Sequence, residues 1–211
     1  MQIFHVRNAK YAYILAVILF VAAIVRFVNI QSGDPIGDEV LYSFRAIGMM
    51  DFDEAEFQTT PREWFDPEVP WWTYFSFHDH PPLVFFVQHV FISAFGETVF
   101  AFRLPSAIFG VLSVFLIYRI GAMLFSPTAG LASAAVLAVT ANHVFISRVG
   151  LQESYVIFFM LLAYYFFLAS LRDEKKLLHL GFALGLCFLT KYTSMILLPR
   201  YIYQECARPF A

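Results

Sequence analysis

Charge is what this sequence has least of. Asp, Glu, Lys and Arg make up 14% of its 211 residues, against 60% hydrophobic and 19% aromatic. An ordinary soluble domain, with about a quarter of its residues charged, is excluded. There is no basic run, and a formal net charge of −2 provides no electrostatic footprint for nucleic acid. Cysteine is nearly missing. Cys187 and Cys206 are the only two, and both lie in or beside apolar sequence without the number or spacing of a disulfide framework or zinc site. Internal repeats and low-complexity segments are also missing. What is present is a series of long apolar runs, and these define an all-α polytopic membrane protein.

The runs predict spans at 11–30, 104–123, 131–147, 155–171 and 177–190, with a further one at 192–207. Each is near the ~20 residues a bilayer requires or a little shorter. Arg7 and Lys10 precede the first run. No small-residue cleavage site follows at a suitable distance, so a retained helix is expected rather than a removed signal peptide. The positive-inside rule then puts the N-terminus in the cytoplasm. The long loop 31–103 is acidic: from Gln31 to His80 only Arg45 and Arg62 offset a series of carboxylates running from Asp34 to Asp79. Pro81 and Pro82 open a short helix at 83–95 closed by Gly96. Its length suits an interfacial segment, and Gln88, His89 and Ser93 share a polar face. If that helix stays outside, the following spans deliver Arg172, Lys175 and Lys176 to the cytoplasm and Arg148, Glu153 and Lys191 to the outer face.

Under this topology the polar groups converge on one side. Asp38 with Glu39, the His78-Asp79-His80 cluster, Arg148 with Glu153, and Lys191 suit a phosphate-bearing substrate. Cations neutralise a phosphate, a carboxylate takes a proton from a nucleophile, and a further carboxylate or histidine orients a sugar or holds a metal. Each feature has a plainer reading. An acidic pair is ordinarily solvated loop charge, His78 and His80 can be interfacial histidines, and Arg148 and Lys191 can snorkel to headgroups. Arg26, Arg103 and Arg119 read as anchors or packing residues at helix ends.

Taken in order, the landmarks resemble one family. Gly37-Asp38-Glu39-Val40-Leu41-Tyr42 follows helix one, and His80-Pro81-Pro82-Leu83 opens the short helix. Phe95-Gly96-Glu97 and Phe102-Arg103-Leu104-Pro105-Ser106-Ala107 come next. Ser147-Arg148 stands five residues before Glu153, and Gly185 to Lys191 reads Gly-Leu-Cys-Phe-Leu-Thr-Lys. The set resembles the polyprenyl-phosphate-sugar-dependent glycosyltransferases of the GT-C fold, a group that includes protein O-mannosyltransferases and aminoarabinose transferases. The resemblance implies GT-C-type transmembrane helices with interfacial helices in the first outer loop. It also implies an inverting transfer at the outer face, from a polyprenyl-phosphate sugar to a protein, lipid or glycan acceptor. In it Asp38 stands at the position of the general base and Glu39 supports it or orients the acceptor. Lys191 matches a phosphate-holding position, and Arg148 is assigned to the same task on physical grounds. Glu153, Tyr42 and His80 complete the expected substrate-binding set.

Two departures from the family pattern stand out. Glu153 replaces a more usual Asp, one methylene longer. Asp79 stands at about the Glu position, and His80 at the Lys position, of a Glu-Lys-Pro-type motif, which makes Asp79 a candidate ligand for a divalent metal ion. No other cofactor is implied. Relatives of this type are usually much longer, so the chain is expected to be the N-terminal part of such an enzyme. The plasma membrane is favoured over the endoplasmic reticulum, with membrane lipids as surroundings. Two other function classes compete with the enzyme. A transporter would carry charges near the midplane of several spans, and these spans are nearly free of them. A catalytically incomplete membrane scaffold would keep the helices without the chemistry.

Overall fold

A computed structural model describes residues 9–35, 37–48 and 80–196. The expectations placed on His78, on Asp79 and on most of 192–207 lie outside these residues. Within them the secondary structure is helical: α1 Ala9–Phe27, α2 Asp38–Gly48, α3 Leu83–Phe95, α4 Val99–Leu124, α5 Pro127–Val139, α6 Ala141–Arg148, α7 Glu153–Ser170 and α8 Lys176–Phe188, followed by a 3-10 turn at Tyr192–Ile196. Three helices, α1, α4 and α7, are long and apolar enough to cross a membrane, and α5 with α6 makes a fourth if the bent pair is one span. At 13 residues, α8 is about 20 Å long, less than the ~30 Å hydrocarbon thickness.

α4 is the central element. One core joins it to α1 and α5 through Leu15, Ala22, Val114, Tyr118, Leu131 and Ala134. A second joins it to α7 and α8 through Ile120, Ala163, Phe167, Leu180 and Ala183. At the opposite end α2 and α3 pack on α4 through Tyr42, Ala46, Phe85, Ile92, Ala101 and Phe102. Lipid is as apolar as these side chains, so helix association inside the bilayer rests on close approach at small residues. A Cβ on Gly130 would sit 2.5 Å from the Tyr118 carbonyl oxygen of α4, and one on Gly121 would lie 2.9 Å from the Gly130 Cα. The α4–α5 seam is therefore backbone against backbone.

Local sequence chemistry sets the helix ends. Thr98 caps α4, its hydroxyl accepting from the Ala101 N–H at 3.2 Å. The helix therefore begins five residues before the expected 104, and Pro105 lies inside it. Ser126 caps α5 in the same way at 3.1 Å, with Pro127 in the first turn. α3 runs over 83–95 as its flanking prolines and Gly96 (φ 84°) predict. Its polar face is divided between the protein and the surface. Gln88 is fully buried and donates to the Gly150 carbonyl at 2.9 Å, and the His89 Nδ1–H donates to the Ala46 carbonyl at 2.8 Å. Two of the three residues on the polar face thus fasten α3 to the protein, while Ser93 is exposed.

The span expected at 131–147 is broken, with α5 and α6 meeting at 60°. At the break Thr140 is extended (φ −61°, ψ 116°). A broken span leaves helix-end carbonyls without intrahelical donors, and two arginines supply them reciprocally. Arg26 of α1, fully buried, donates to the carbonyls of Ala138 (2.9 Å) and Leu137 (3.4 Å) at the end of α5 and meets His143 Nδ1 at 2.7 Å. Arg148 of α6 donates to the carbonyls of Val25, Val28 and Asn29 at the end of α1, at 2.8, 2.8 and 3.0 Å.

If the α4–α5 seam rests on that close approach, Gly130→Ala lowers stability by about 1–3 kcal/mol through overpacking. Gly181→Ala, on α8 with nothing within 4 Å of the added Cβ, raises it by up to about 1 kcal/mol. Thermal unfolding of the detergent-solubilised protein separates the two.

Candidate active site

The motif at 37–39 is placed by backbone geometry. Gly37 has φ 57°, in the left-handed region where a side chain would be strained, and from it the chain turns directly into α2. Asp38 and Glu39 fill the first turn of that helix, where the macrodipole favours negative charge by about 0.3–1 kcal/mol. Consecutive helical positions differ by about 100° in direction. Asp38 is therefore exposed, while Glu39 points inward and retains 1% of its accessible surface.

Glu39 is fully engaged. Its Oε1 accepts from Arg103 Nε at 2.6 Å and from the Gly150 N–H at 2.7 Å, and its Oε2 accepts from Arg103 NH2 at 2.9 Å. Arg103 also donates through NH1 to the carbonyls of Ile30 and Ser32, both at 3.0 Å. One buried ion pair thus joins the end of the first span, α2, α4 and the α6–α7 connection. Gly150 is gripped from both sides, with its N–H on Glu39 and its carbonyl on Gln88. A Cβ there would collide with the Phe102 ring, so only glycine lets the loop approach this closely.

One turn along α2 the expected Tyr42 and His80 meet. The Tyr42 hydroxyl lies 3.0 Å from His80 Nε2, and Arg45 NH1 lies 3.3 Å from His80 Nδ1. The guanidinium can only donate, so Nδ1 accepts, and the neutral ring carries its proton on Nε2, directed at the tyrosine oxygen. Phe85 closes the group, with its ring centroid 5.5 Å from that of Tyr42 and the Arg45 guanidinium 5.6 Å above it.

Glu153 and Lys191 form the second junction. Lys191 Nζ reaches Glu153 Oε1 at 2.7 Å, joining the start of α7 to the chain just past α8. The longer side chain at 153 makes that contact. The Leu83 N–H donates to the Leu189 carbonyl at 3.1 Å, which fastens the start of α3 beside it. The two ion pairs differ in kind: side-chain exposures are 6% and 1% for Arg103 and Glu39 but 33% and 38% for Lys191 and Glu153. An exposed pair contributes about 0–1 kcal/mol.

Asp38, Glu39, Tyr42 and His80 thus gather around α2, and Glu153 and Lys191 pair at the neighbouring helix ends. Arg148, expected as a phosphate contact, directs NH1 and NH2 to carbonyls at the end of α1. Arg119 donates to the Tyr165 hydroxyl at 3.1 Å, a packing role. Among the described residues no three His, Cys, Asp or Glu side chains group as metal ligands, and Asp79 lies outside them. Sequence reading gave Arg103 a packing role and Gln88 a place on a polar face without tying either to Glu39, and it missed Gly150. The available signal was an arginine within an apolar helix, costly unless paired.

The fold is that of a helical membrane protein, with a cluster of carboxylates and cations at one end of its spans. Residues 79–207 match the family described as dolichyl-phosphate-mannose-protein mannosyltransferase. That is more than half of the chain, and the protein belongs to this GT-C family of membrane glycosyltransferases. Two relatives are from Bacillus subtilis (strain 168). "Putative mannosyltransferase YycA" is 34% identical over 127 residues, 59% of this chain and 18% of the relative. "Putative mannosyltransferase YkcB" is 27% identical over 199 residues, 90% of this chain and 25% of the relative. The chain therefore spans a quarter or less of the length of these relatives. No solved structure matches it.

Removing one partner of each ion pair distinguishes them. Arg103→Met strands a buried carboxylate and costs about 3–5 kcal/mol, whereas Lys191→Met costs at most about 1 kcal/mol. Denaturant titration in detergent measures both.

Proposed function

We propose that the protein transfers a sugar from a polyprenyl-phosphate-linked donor to an acceptor hydroxyl or amine at the outer face of the membrane, with inversion and with Asp38 as general base. The observation that carries this reading is the division between neighbouring carboxylates. Glu39 is neutralised and immobile on Arg103 and Gly150, so it holds the helix, and Asp38 is left exposed on that fixed helix. A general base needs this combination of fixed position and open access.

The step is a single displacement. The acceptor oxygen or nitrogen attacks the anomeric carbon as the bond from that carbon to the phosphate oxygen breaks, and the acceptor proton passes to the Asp38 carboxylate. The lipid phosphate leaves with the bonding electrons. It is a stable anion, so no general acid is required, and a nearby cation at Lys191 offsets its developing charge. Glu39 is a positioning residue here, and the buried Tyr42 holds the half-buried His80 beside α2.

The outer placement is supported by charge. Glu153 and Ser170 bound the 18 residues of α7, about 27 Å of helix, and Arg172, Lys175 and Lys176 follow its far end. By the positive-inside rule that end is cytoplasmic and the Asp38 end is outside. A plasma-membrane location rests on the family resemblance together with the short loops.

The test is transfer of a radiolabelled sugar from a polyprenyl-phosphate donor by the wild type and Asp38→Asn. The substitution keeps size and exposure but removes the base, and turnover is expected to fall ~10²–10⁴-fold with little change in donor binding. Turnover within a few-fold of wild type would remove Asp38 from the chemistry.

A further inference from the structure

We propose that Glu153 is a built-in competitor for the phosphate at Lys191: it gives way when the lipid-linked donor binds and pairs again with Lys191 to release the lipid phosphate after transfer. The inference rests on the reading of Lys191 as the phosphate-holding cation and adds what limits that grip. Lys191 Nζ and Glu153 Oε1 are 2.7 Å apart. Among the described residues neither charged group has another hydrogen-bond partner. An incoming phosphate thus meets an ammonium whose charge is already offset by the carboxylate.

The exposure of the pair makes the exchange feasible. Both side chains keep a third or more of their surface accessible, so an incoming anion reaches them without unpacking a helix. The Glu39–Arg103 pair, buried and held by the Gly150 amide as well, cannot exchange in this way. Glu153 is the first residue of α7, and the positive end of that helix favours any anion there, carboxylate or phosphate.

Charge decides which step needs the competitor. The donor phosphate is a diester with one negative charge. Once the sugar is transferred the lipid carries a monoester, whose charge at neutral pH lies between about −1.5 and −2. Lys191 therefore attracts the product more strongly than the donor, and release is the step at risk. A carboxylate tethered beside the cation acts at high effective concentration and favours dissociation without a separate ligand. The extra methylene that distinguishes glutamate from aspartate provides the reach.

The experiment measures binding of a polyprenyl monophosphate to the full chain in neutral detergent micelles by calorimetry, for wild type, E153Q, K191Q and the double variant. Binding is read without turnover, so it is independent of Asp38. E153Q is expected to tighten binding by roughly three- to tenfold, K191Q to weaken it about tenfold or more, and the double variant to match K191Q. Unchanged or weaker binding by E153Q beside a weakened K191Q would overturn the competitor while leaving Lys191 as phosphate holder. The same would follow if E153Q tightened binding equally in the K191Q background. Wild-type binding by K191Q would overturn both.

Discussion

The rest of the structure depends on a buried carboxylate held at three points. Glu39 takes two donors from Arg103 and one from the Gly150 backbone. Those contacts join α2, the central helix α4 and the connection between α6 and α7. In a protein whose helices gain little from hydrophobic attraction to one another inside lipid, a charge pair at the membrane end is a strong directional constraint. It is also costly to form, because both ions leave water, so its value lies in fixing one arrangement rather than in net stability. What it fixes is the first turn of α2, and with it the exposed Asp38.

The same economy of charge recurs elsewhere. Arg26 donates to carbonyls at the end of α5 and Arg148 to carbonyls at the end of α1, so side chains from neighbouring helices supply donors that the broken backbone lacks. The break turns α6 toward Gly150, Gln152 and Glu153, the segment that Glu39 and Gln88 then hold. By contrast, the pair between Lys191 and Glu153 is open to solvent and has no third partner among the described residues. Buried pairs set the frame of the site, and the exposed pair is the one that a ligand can rearrange.

Much of this was legible in the sequence because membrane folding leaves a strong compositional trace. The apolar runs located α1, α4 and α7, and the prolines with Gly96 placed α3 to the residue. Asp38, Glu39, His80, Glu153 and Lys191 were singled out as polar groups brought to one face by the topology, and Tyr42 through the family resemblance. What could not be read was direction. The family resemblance gave Asp38 and Glu39 different roles, but only the inward turn of Glu39 shows which carboxylate is locked and which is exposed. Gln88 and His89 fell on a polar stripe, but a stripe does not say whether it faces water or a protein carbonyl. Arg148 has the charge for a phosphate, and nothing local announces that it also reaches the carbonyls at the end of α1. Arg26, more than a hundred residues away, donates to the carbonyls beside the bend at Thr140, and no local pattern encodes that contact.

The central claim is that Asp38 stands free at the outer face on a helix whose neighbouring residues are locked. Its most direct test is thiol labelling with a membrane-impermeant maleimide, using single-cysteine variants in a background without Cys187 and Cys206. In intact cells Asp38→Cys should react at the rate of a solvated residue, while Ala46→Cys, on the buried face of the same helix, should not. Reaction at 38 only after permeabilisation, or equal reaction at 38 and 46, would contradict the account.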